Sequence, residues 1–126
     1  MPKNTISYWN VLTDENANKW QVVEGSDGML EQLTLAIDQV SGDYTRLTRF
    51  KAGANTASLG AKSHNYPEEI YIISGTLYDE AFKMWLEAGH YASRPPGEIH
   101  GPFYAKTECI VLECSYPSQA IKRDLE

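Results

Sequence analysis

The chain has 126 residues, of which 42% are hydrophobic and 22% charged, and its formal net charge is −6. These values exclude a disordered or low-complexity chain and favour one globular domain. The acidic balance argues against nucleic acid and against an anionic membrane surface as partners, because clustered Lys and Arg recognise both.

The hydrophobic pattern predicts short strands separated by turns. Helical turns are predicted only at residues 14–20 and 118–126. Alternating apolar residues and runs of β-branched or aromatic residues predict the strands between them. The predicted strands are 29–38, 44–50, 69–74, 76–80, 83–86 and 107–115, with a further segment, 90–97, that ends in Pro-Pro-Gly. Many short strands with regular turns indicate an all-β barrel or sandwich.

Two of these strands carry predictions about faces. Alternation in residues 29–38 places Leu33, Leu35 and Ile37 on one face. Arg46 and Arg49 are three residues apart, so in a regular strand only one of them can face the interior. An interior arginine would bind a carboxylate or enolate, whereas an exterior one would be solvated.

The cysteines and the N-terminus carry a prediction about location. Cys109 and Cys114 lie in one apolar segment, and about 16 Å of extended strand would separate them, beyond disulfide reach. The segment M-P-K-N-T-I-S-Y-W lacks the apolar region of a signal peptide. No apolar run approaches the ~20 residues of a membrane span. These features predict reduced core thiols and a cytoplasmic protein.

Two stretches carry residues at characteristic spacing. In H-N-Y-P-E-E-I-Y-I-I-S-G, His64 precedes Glu68 by four residues, and six residues separate Glu68 from Gly75. The stretch G-H-Y-A-S-R-P-P-G-E-I-H spans residues 89–100 and ends at His100. Both resemble the motifs of the cupin superfamily, whose first motif has His, x, His, three or four residues, Glu, six residues, Gly. The second motif has Gly, five residues, Pro, x, Gly, two residues, His.

The resemblance implies a fold and a domain organisation. It implies a single cupin-type double-stranded β-helix, or jelly-roll barrel, over residues 28–116. Residues 1–27 would form an N-terminal arm or edge segment, and residues 117–126 a C-terminal tail. The chain looks most like small single-domain bacterial cupins, which resemble the cupin module of a zinc-binding anti-sigma factor, and acetylacetone-cleaving dioxygenases belong to the same neighbourhood.

The sequence departs from the cupin motifs at three positions. Lys62 stands where the first histidine of the first motif is usual, and Thr56 stands where the glycine that opens that motif is usual. Tyr104 stands where the second motif ends in Asn. The first departure removes one of the four metal ligands that the family pattern implies.

The residues themselves still favour a metal site. Residues of one parity along a strand face one side, so His64 and Glu68 can converge, and His100 on a neighbouring strand can complete the set. Two imidazoles and one carboxylate suit one divalent transition metal: Fe, Zn, Mn or Ni. The alternative is a metal-free barrel in which Lys62 forms an ion pair with Glu68. The third histidine, His90, follows a turn and has no predicted ligand role.

Four further residues are candidates for the chemistry. Lys62 could face the substrate as a cation and carry a proton if it is desolvated. Tyr66, Arg94 and Tyr104 lie near motif positions and are expected to line the pocket, as is Trp85. No residues are assigned to an organic cofactor.

The predicted function follows from the metal site. The first hypothesis is a metal-dependent cupin enzyme that acts on a small chelating, oxygenated substrate. Its reaction would be dioxygenase-like carbon–carbon cleavage, or lyase, isomerase or decarboxylase chemistry. The alternative is a non-catalytic cupin module that senses a ligand or a metal.

A homodimer is also predicted. Small barrels leave edge strands and apolar faces that need cover. The N-terminal segment carries Ile6, Tyr8, Trp9 and Val11, and we expect it to supply an edge strand to a partner.

Overall fold

The computed structural model describes residues 2–121 of the chain. These residues contain nine strands and three short 3₁₀ helices. The 3₁₀ helices are Asp14–Lys19, Ala57–Leu59 and Pro117–Gln119. The strands are β1 (Gln21–Val22), β2 (Leu30–Ile37), β3 (Tyr44–Phe50), β4 (Glu68–Ser74), β5 (Thr76–Asp79), β6 (Met84–Glu87), β7 (Tyr91–Arg94), β8 (Phe103–Tyr104) and β9 (Cys109–Ser115). Within residues 2–121, no helix has the length and apolar character needed to cross a membrane.

The strands form two antiparallel sheets. The larger sheet has the order β1-β2-β3-β9-β4-β7, and the smaller has the order β6-β5-β8. Because β9 inserts between β3 and β4, the last strand lies in the middle of the larger sheet and not at its edge. This arrangement confirms the predicted all-β jelly-roll.

Most predicted elements agree with the observed ones. The prediction for residues 44–50 coincides with β3, and the helical turn at residues 14–20 is the first 3₁₀ helix. β1 and β8 were not predicted, because two residues are too few to show a periodicity. The helical turn predicted at residues 118–126 overlaps the 3₁₀ helix Pro117–Gln119, but residues 122–126 lie outside the described residues.

The main core fills the space between the sheets. It contains large aliphatic and aromatic side chains from both sheets together with small residues from the connecting loops. Its buried members are Leu30, Phe50, Ala54, Ile70, Ile72, Leu77, Ala105, Cys109 and Val111. Burial in this core raises the pKa of the Cys109 thiol to about 11, so the thiol stays protonated at neutral pH. Cys109 and Cys114 are both free, as predicted, although Cys114 is only half-buried.

A second apolar cluster lies on the outer face of the larger sheet. Its buried members are Trp20, Leu33, Leu47 and Ile110, and Trp9, Val11, Leu35 and Leu112 pack against them. The Nε1–H of Trp20 donates a hydrogen bond to the carbonyl oxygen of Val11 at 3.3 Å. The cluster places part of the N-terminal segment against the chain's own sheet.

The N-terminal segment makes further contacts with the same barrel. Asn4 donates its backbone N–H to the carbonyl of Ile37 at 3.1 Å, and its side-chain Oδ1 accepts the N–H of Ile37 at 2.7 Å. β1, within the predicted arm at residues 1–27, pairs with β2. Residues 2–12 contain no strand, so no edge strand for a partner is formed there. The homodimer stays a prediction.

A β-bulge in β2 changes which residues share a face. Leu33 pairs with Leu47, but the register shifts between Thr34 and Ala36, and Ile37 then pairs with Tyr44. Leu47 and Tyr44 are three residues apart in β3, so they lie on opposite faces of the sheet. Each shares its face with the residue of β2 that it pairs with. The prediction that Ile37 shares a face with Leu33 is therefore wrong, because the bulge inserts one extra residue.

Gly75, the single residue between the predicted strands 69–74 and 76–80, makes a tight bend between β4 and β5. Its φ is +79°, and a Cβ at this position would lie 1.9 Å from the carbonyl oxygen of Glu108 and 2.8 Å from the Cα of Cys109. Glycine thus lets the backbone at the bend approach β9 closely, at a φ that other residues rarely adopt.

Candidate metal centre

A cavity of about 240 Å³ opens between the two sheets. One part of its wall is apolar and continuous with the main core. The other part is polar and comes from β2, β3, β4, β7, β9 and the loops that contain residues 62–64 and 100. The polar and charged residues that line it are Gln32, Arg46, Thr48, Thr56, Lys62, His64, Glu68, Arg94, His100 and Glu113.

The three predicted metal ligands meet at this polar wall. One ligand atom from each of His64, Glu68 and His100 lies within 4.8 Å of the other two. The Nε2 atom of His64 is 4.0 Å from Oε2 of Glu68, and the two imidazole centroids are 5.6 Å apart. Glu68 and His100 are buried, whereas the His64 side chain is 31% exposed. The cluster is therefore open to the cavity on the His64 side.

Local backbone pairing brings the two histidines together. His64 and His100 lie outside the strands, but Lys62 and His100 form an antiparallel bridge with reciprocal N–H···O bonds of 2.8 and 2.9 Å. Gly97 donates its N–H to the carbonyl of His64 at 2.7 Å. Glu68 is the first residue of β4, and its Oε2 accepts a hydrogen bond of 2.9 Å from the Ser115 hydroxyl.

The protonation states of the two imidazoles suit metal ligation. Burial, reinforced by the charge of Arg94, lowers the pKa of His100 to about 4. Burial and then the charge of Arg46 lower the pKa of His64, so both imidazoles are neutral at neutral pH. Burial and then Glu113 raise the pKa of Glu68, while the Ser115 hydrogen bond opposes that shift.

The donor set fits a divalent transition metal. Imidazole nitrogens with one carboxylate are preferred by Zn, Fe, Mn and Ni ions, not by Ca²⁺ or Mg²⁺. The Nδ1 atom of His100 lies 3.4 Å from the carbonyl oxygen of Glu98. An Nδ1–H tautomer would therefore be oriented by that carbonyl and would leave Nε2 as the ligand atom. Metal–ligand distances of about 2.0–2.2 Å require modest side-chain rotations that bring the three donors closer.

The predicted alternative of a Lys62–Glu68 ion pair does not form. Lys62 is exposed at the cavity wall. Among the described residues, the basic groups within 4.0 Å of the Glu68 carboxylate are the Arg94 guanidinium, at 3.9 Å, and the neutral His64 imidazole, at 4.0 Å. The backbone bridge to His100 fixes the Lys62 main chain, and its exposed side chain lines the cavity.

We therefore expect Lys62→Ala to change the free energy of unfolding of the metal-free protein by no more than about 0.5 kcal/mol, the usual range for surface positions. Loss of one partner from a buried ion pair would instead cost about 3–5 kcal/mol. Urea denaturation followed by fluorescence measures the difference, with the exposed Lys106→Ala as control. A loss of several kcal/mol for Lys62→Ala alone would restore the ion-pair alternative.

Tyr66 contacts a candidate ligand and does not itself line the cavity. Its ring stacks on His64, with centroids 4.8 Å apart and an interplanar angle of 6°. Burial and then the neighbouring Tyr44 raise the pKa of Tyr66 to about 12. Tyr66 is therefore a neutral phenol that fixes the orientation of the His64 ring.

Tyr104 and Trp85 lie outside the cavity, contrary to expectation. Tyr104 is 40% exposed and Trp85 is 46% exposed, and their rings contact each other with centroids 6.1 Å apart. Side chains alternate along β8, so it is the preceding residue, Phe103, that faces inward. Phe103 lines the cavity and lies near His100, with ring centroids 6.1 Å apart.

The two arginines of β3 face opposite sides, as the parity argument predicted. Arg46 lines the cavity, whereas Arg49 pairs with Glu31 at 3.0 Å and stacks on Trp20 on the outer face. The inward Arg46 Nε–H donates to Glu113 Oε1 at 2.7 Å. Thr48 donates its hydroxyl to the same oxygen at 2.7 Å.

Glu113 was not predicted as a site residue. The available signal was a lone carboxylate in the apolar strand C-I-V-L-E-C-S, at the same parity as Val111 and Ser115.

His90 lies apart from the cluster, as predicted. Its Nδ1 is 2.9 Å from the backbone nitrogen of Glu87 in the turn after β6.

Comparisons with known proteins agree with this architecture. Residues 10–118 match the family described as the ChrR cupin-like domain. Among curated proteins, no sequence matches significantly. The structure is similar to that of an RmlC-like cupin from Shewanella frigidimarina NCIMB 400, with a TM-score of 0.68 and 18% identity over 93% of this chain and 95% of that chain.

Two other similar structures have more specific descriptions. An acetylacetone dioxygenase from Acinetobacter johnsonii has a TM-score of 0.67 and 16% identity over 92% of this chain and 77% of its own. A chain from the Rhodobacter sphaeroides complex of SigE with the anti-sigma ChrR has a TM-score of 0.58 and 19% identity, over 77% of this chain and 48% of its own. At these identities the likeness establishes the fold alone.

Proposed function

Because the chain belongs to the ChrR cupin-like domain family, we propose that it is a metal-dependent enzyme that acts on a small oxygenated substrate. The observation that carries the proposal is the convergence of His64, Glu68 and His100 at the wall of a cavity. Three protein ligands leave coordination positions open, as in catalytic metal sites.

A divalent ion of Fe, Zn, Mn or Ni held by these three groups would supply Lewis acidity toward neighbouring oxygens of a chelating substrate. The protein supplies the rest of the environment. Tyr66 holds the His64 ring in place, and the apolar wall excludes water and so strengthens electrostatic interactions in the cavity. Lys62, at the cavity wall, is a candidate for moving a proton between the substrate and solvent.

Two reaction classes suit such a substrate. One is dioxygenase-like carbon–carbon cleavage, a proposal supported by the likeness in fold to an acetylacetone dioxygenase. The other is non-oxidative chemistry of the lyase, isomerase or decarboxylase type. Both begin from a substrate that develops negative charge on oxygen, which the cationic groups of the cavity wall would stabilise.

We expect the Fe(II)-loaded protein to consume a 1,3-dicarbonyl or 2-oxo acid from a panel, with O₂ uptake if the reaction is oxidative. An oxygen electrode and chromatography of the substrates, run aerobically and anaerobically with Fe, Zn, Mn and Ni, separate the two classes. Glu68→Gln, which keeps the shape of the side chain and removes its charge, should abolish turnover. If no panel substrate is consumed in any metal form, the enzyme proposal fails for these substrate classes.

The second candidate function is a non-catalytic module that senses a metal or ligand. The observation that favours it is the similarity in fold to a chain of an anti-sigma complex, together with the family description. In this case the same three residues would bind a metal tightly, and occupancy of the site would be the signal. Stoichiometric metal binding without turnover of any panel substrate would favour this function over the enzyme.

A further inference from the structure

Arg94 has a buried guanidinium group that donates no hydrogen bond to the other residues that the structure describes. It ends β7, lines the cavity and is 6% exposed. Its Nε atom is buried and has no hydrogen-bond partner among residues 2–121. The nearest carboxylate oxygens, of Glu68 and Glu98, lie 3.9 and 3.8 Å from its nitrogens, beyond hydrogen-bond distance. Burial of a charged donor without a hydrogen-bond partner costs free energy of folding, unless a ligand supplies the missing acceptor.

The other two arginines that the structure describes already donate side-chain hydrogen bonds. The Nε–H of Arg46 donates to Glu113 at 2.7 Å. The Nε of Arg49 also lacks a partner, but its Nη1 donates to Glu31 at 3.0 Å and its guanidinium lies over the Trp20 ring. Among the described arginines that line the cavity, Arg94 is therefore the one whose side chain donates no hydrogen bond.

Arg94 lies next to Glu68, one of the three candidate metal ligands. Arg94 pairs with Glu68 in the register of β7 and β4, and directly paired residues share a face. A group bound to the guanidinium would therefore lie beside the carboxylate of a candidate metal ligand. Among the charged residues that line the cavity, Glu68 and Glu113 offset Arg46 and Arg94, and the exposed Lys62 contributes one further positive charge. A bound divalent ion would leave the wall with a net positive charge, which favours an anionic ligand.

The size and polarity of the cavity limit that ligand. Its volume is about 240 Å³, below the ~300–1,000 Å³ that is usual for pockets that hold larger ligands. The rest of the lining is largely apolar and includes Ile70, Ile72 and Val111. The ligand should therefore be short, with one anionic end and an apolar body.

We propose that Arg94 binds the carboxylate of a small, largely apolar organic acid. A 2-oxo acid of four to six carbons fits, because its oxo oxygen adjoins the carboxylate and would face the His64–Glu68–His100 cluster. The planar fork of a guanidinium matches a carboxylate and can donate two parallel hydrogen bonds. The assignment of the oxo group to the metal rests on the proposed function, whereas the carboxylate contact requires only Arg94.

The test compares acids with uncharged isosteres. 4-Methyl-2-oxopentanoate and 5-methylhexane-2,3-dione differ only in a carboxylate replaced by an acetyl group, and shorter pairs extend the series. Calorimetry on zinc-loaded and metal-free protein measures each affinity. We expect the zinc-loaded wild type to bind at least one acid about tenfold or more tightly than its isostere, as a charge-assisted hydrogen bond should provide.

Variants then locate the preference. Arg94→Gln should abolish the preference for acids, Arg94→Lys should retain part of it, and Arg49→Gln, outside the cavity, should leave it unchanged. Circular dichroism checks that each variant is folded, and the wild-type comparison stands without any variant. The proposal would be overturned if no acid binds the wild type more tightly than its uncharged isostere. It would also be overturned if Arg94→Gln keeps the preference for acids. Failure to bind zinc would instead count against the proposed function, since the metal-free titration still tests Arg94.

Discussion

Replacement of His100 by alanine should reduce the affinity for a divalent transition metal by more than about 100-fold. Loss of groups that only support metal ligands already costs about 10–100-fold, and His100→Ala removes a ligand. The remaining donors, His64 and Glu68, would leave the ion mostly hydrated. Competition with a chromophoric chelator measures the affinity, and elemental analysis after dialysis measures the stoichiometry for Zn and Fe.

His90→Ala is the matched control, because His90 lies in a turn apart from the cluster and hydrogen-bonds locally with Glu87. It should bind metal like the wild type. His100→Gln provides a second variant that keeps more of the side-chain volume at a buried position. Two results would contradict the three-ligand site: no metal in the wild type after reconstitution with Fe, Mn, Ni and Zn, or wild-type affinity in both His100 variants.

Gly75→Ala should cost roughly 2–5 kcal/mol in the free energy of unfolding. About 1–2 kcal/mol arises from a left-handed backbone at a residue with a Cβ, and overpacking adds about 1–3 kcal/mol. The overpacking is against backbone, since the new Cβ would lie 1.9 Å from the carbonyl oxygen of Glu108. The bend cannot relieve the collision by rotating a side chain, so β4 or β9 must shift.

Gly89→Ala is the control for this prediction. Gly89 also has a positive φ, of +97°, but a Cβ there meets nothing within 4 Å. We expect Gly89→Ala to lose only the backbone contribution of about 1–2 kcal/mol. Urea denaturation of both variants measures the difference. Equal losses would mean that the collision of the new Cβ with Glu108 adds nothing to the destabilisation.

The sequence was sufficient for the fold class because most strands are long enough to show a pattern. β3 was predicted to the residue from a run of Thr and aromatic residues, and the predicted strands 69–74 and 76–80 left Gly75 alone between them. The bulge in β2 could not be predicted, since the alternation of Leu33, Leu35 and Ile37 continues through it unchanged. Its effect appears only when β2 is aligned with β3.

The candidate site was predictable to a similar extent. Parity and motif spacing were enough to select His64, Glu68 and His100, which the structure brings together. The Arg46–Glu113 pair was not predictable, because its members are on separate strands and no local pattern relates them. The inward residue of β8 was also missed. One position decides between Phe103 and Tyr104, and no period can be read from a two-residue strand.

The bridge between Lys62 and His100 has a consequence for the kinetics of metal exchange. Three main-chain hydrogen bonds join the loop segments that carry the two histidines: two between Lys62 and His100, and one from Gly97 to His64. Glu68, in contrast, belongs to a seven-residue strand between two neighbours. Segments with few such bonds open at lower free energy than the strands around them. The two histidines can therefore part while the barrel stays folded, which gives a bound ion a path of release that does not require global unfolding. Amide hydrogen exchange at Lys62 and His100, slower with metal than without, would report this opening.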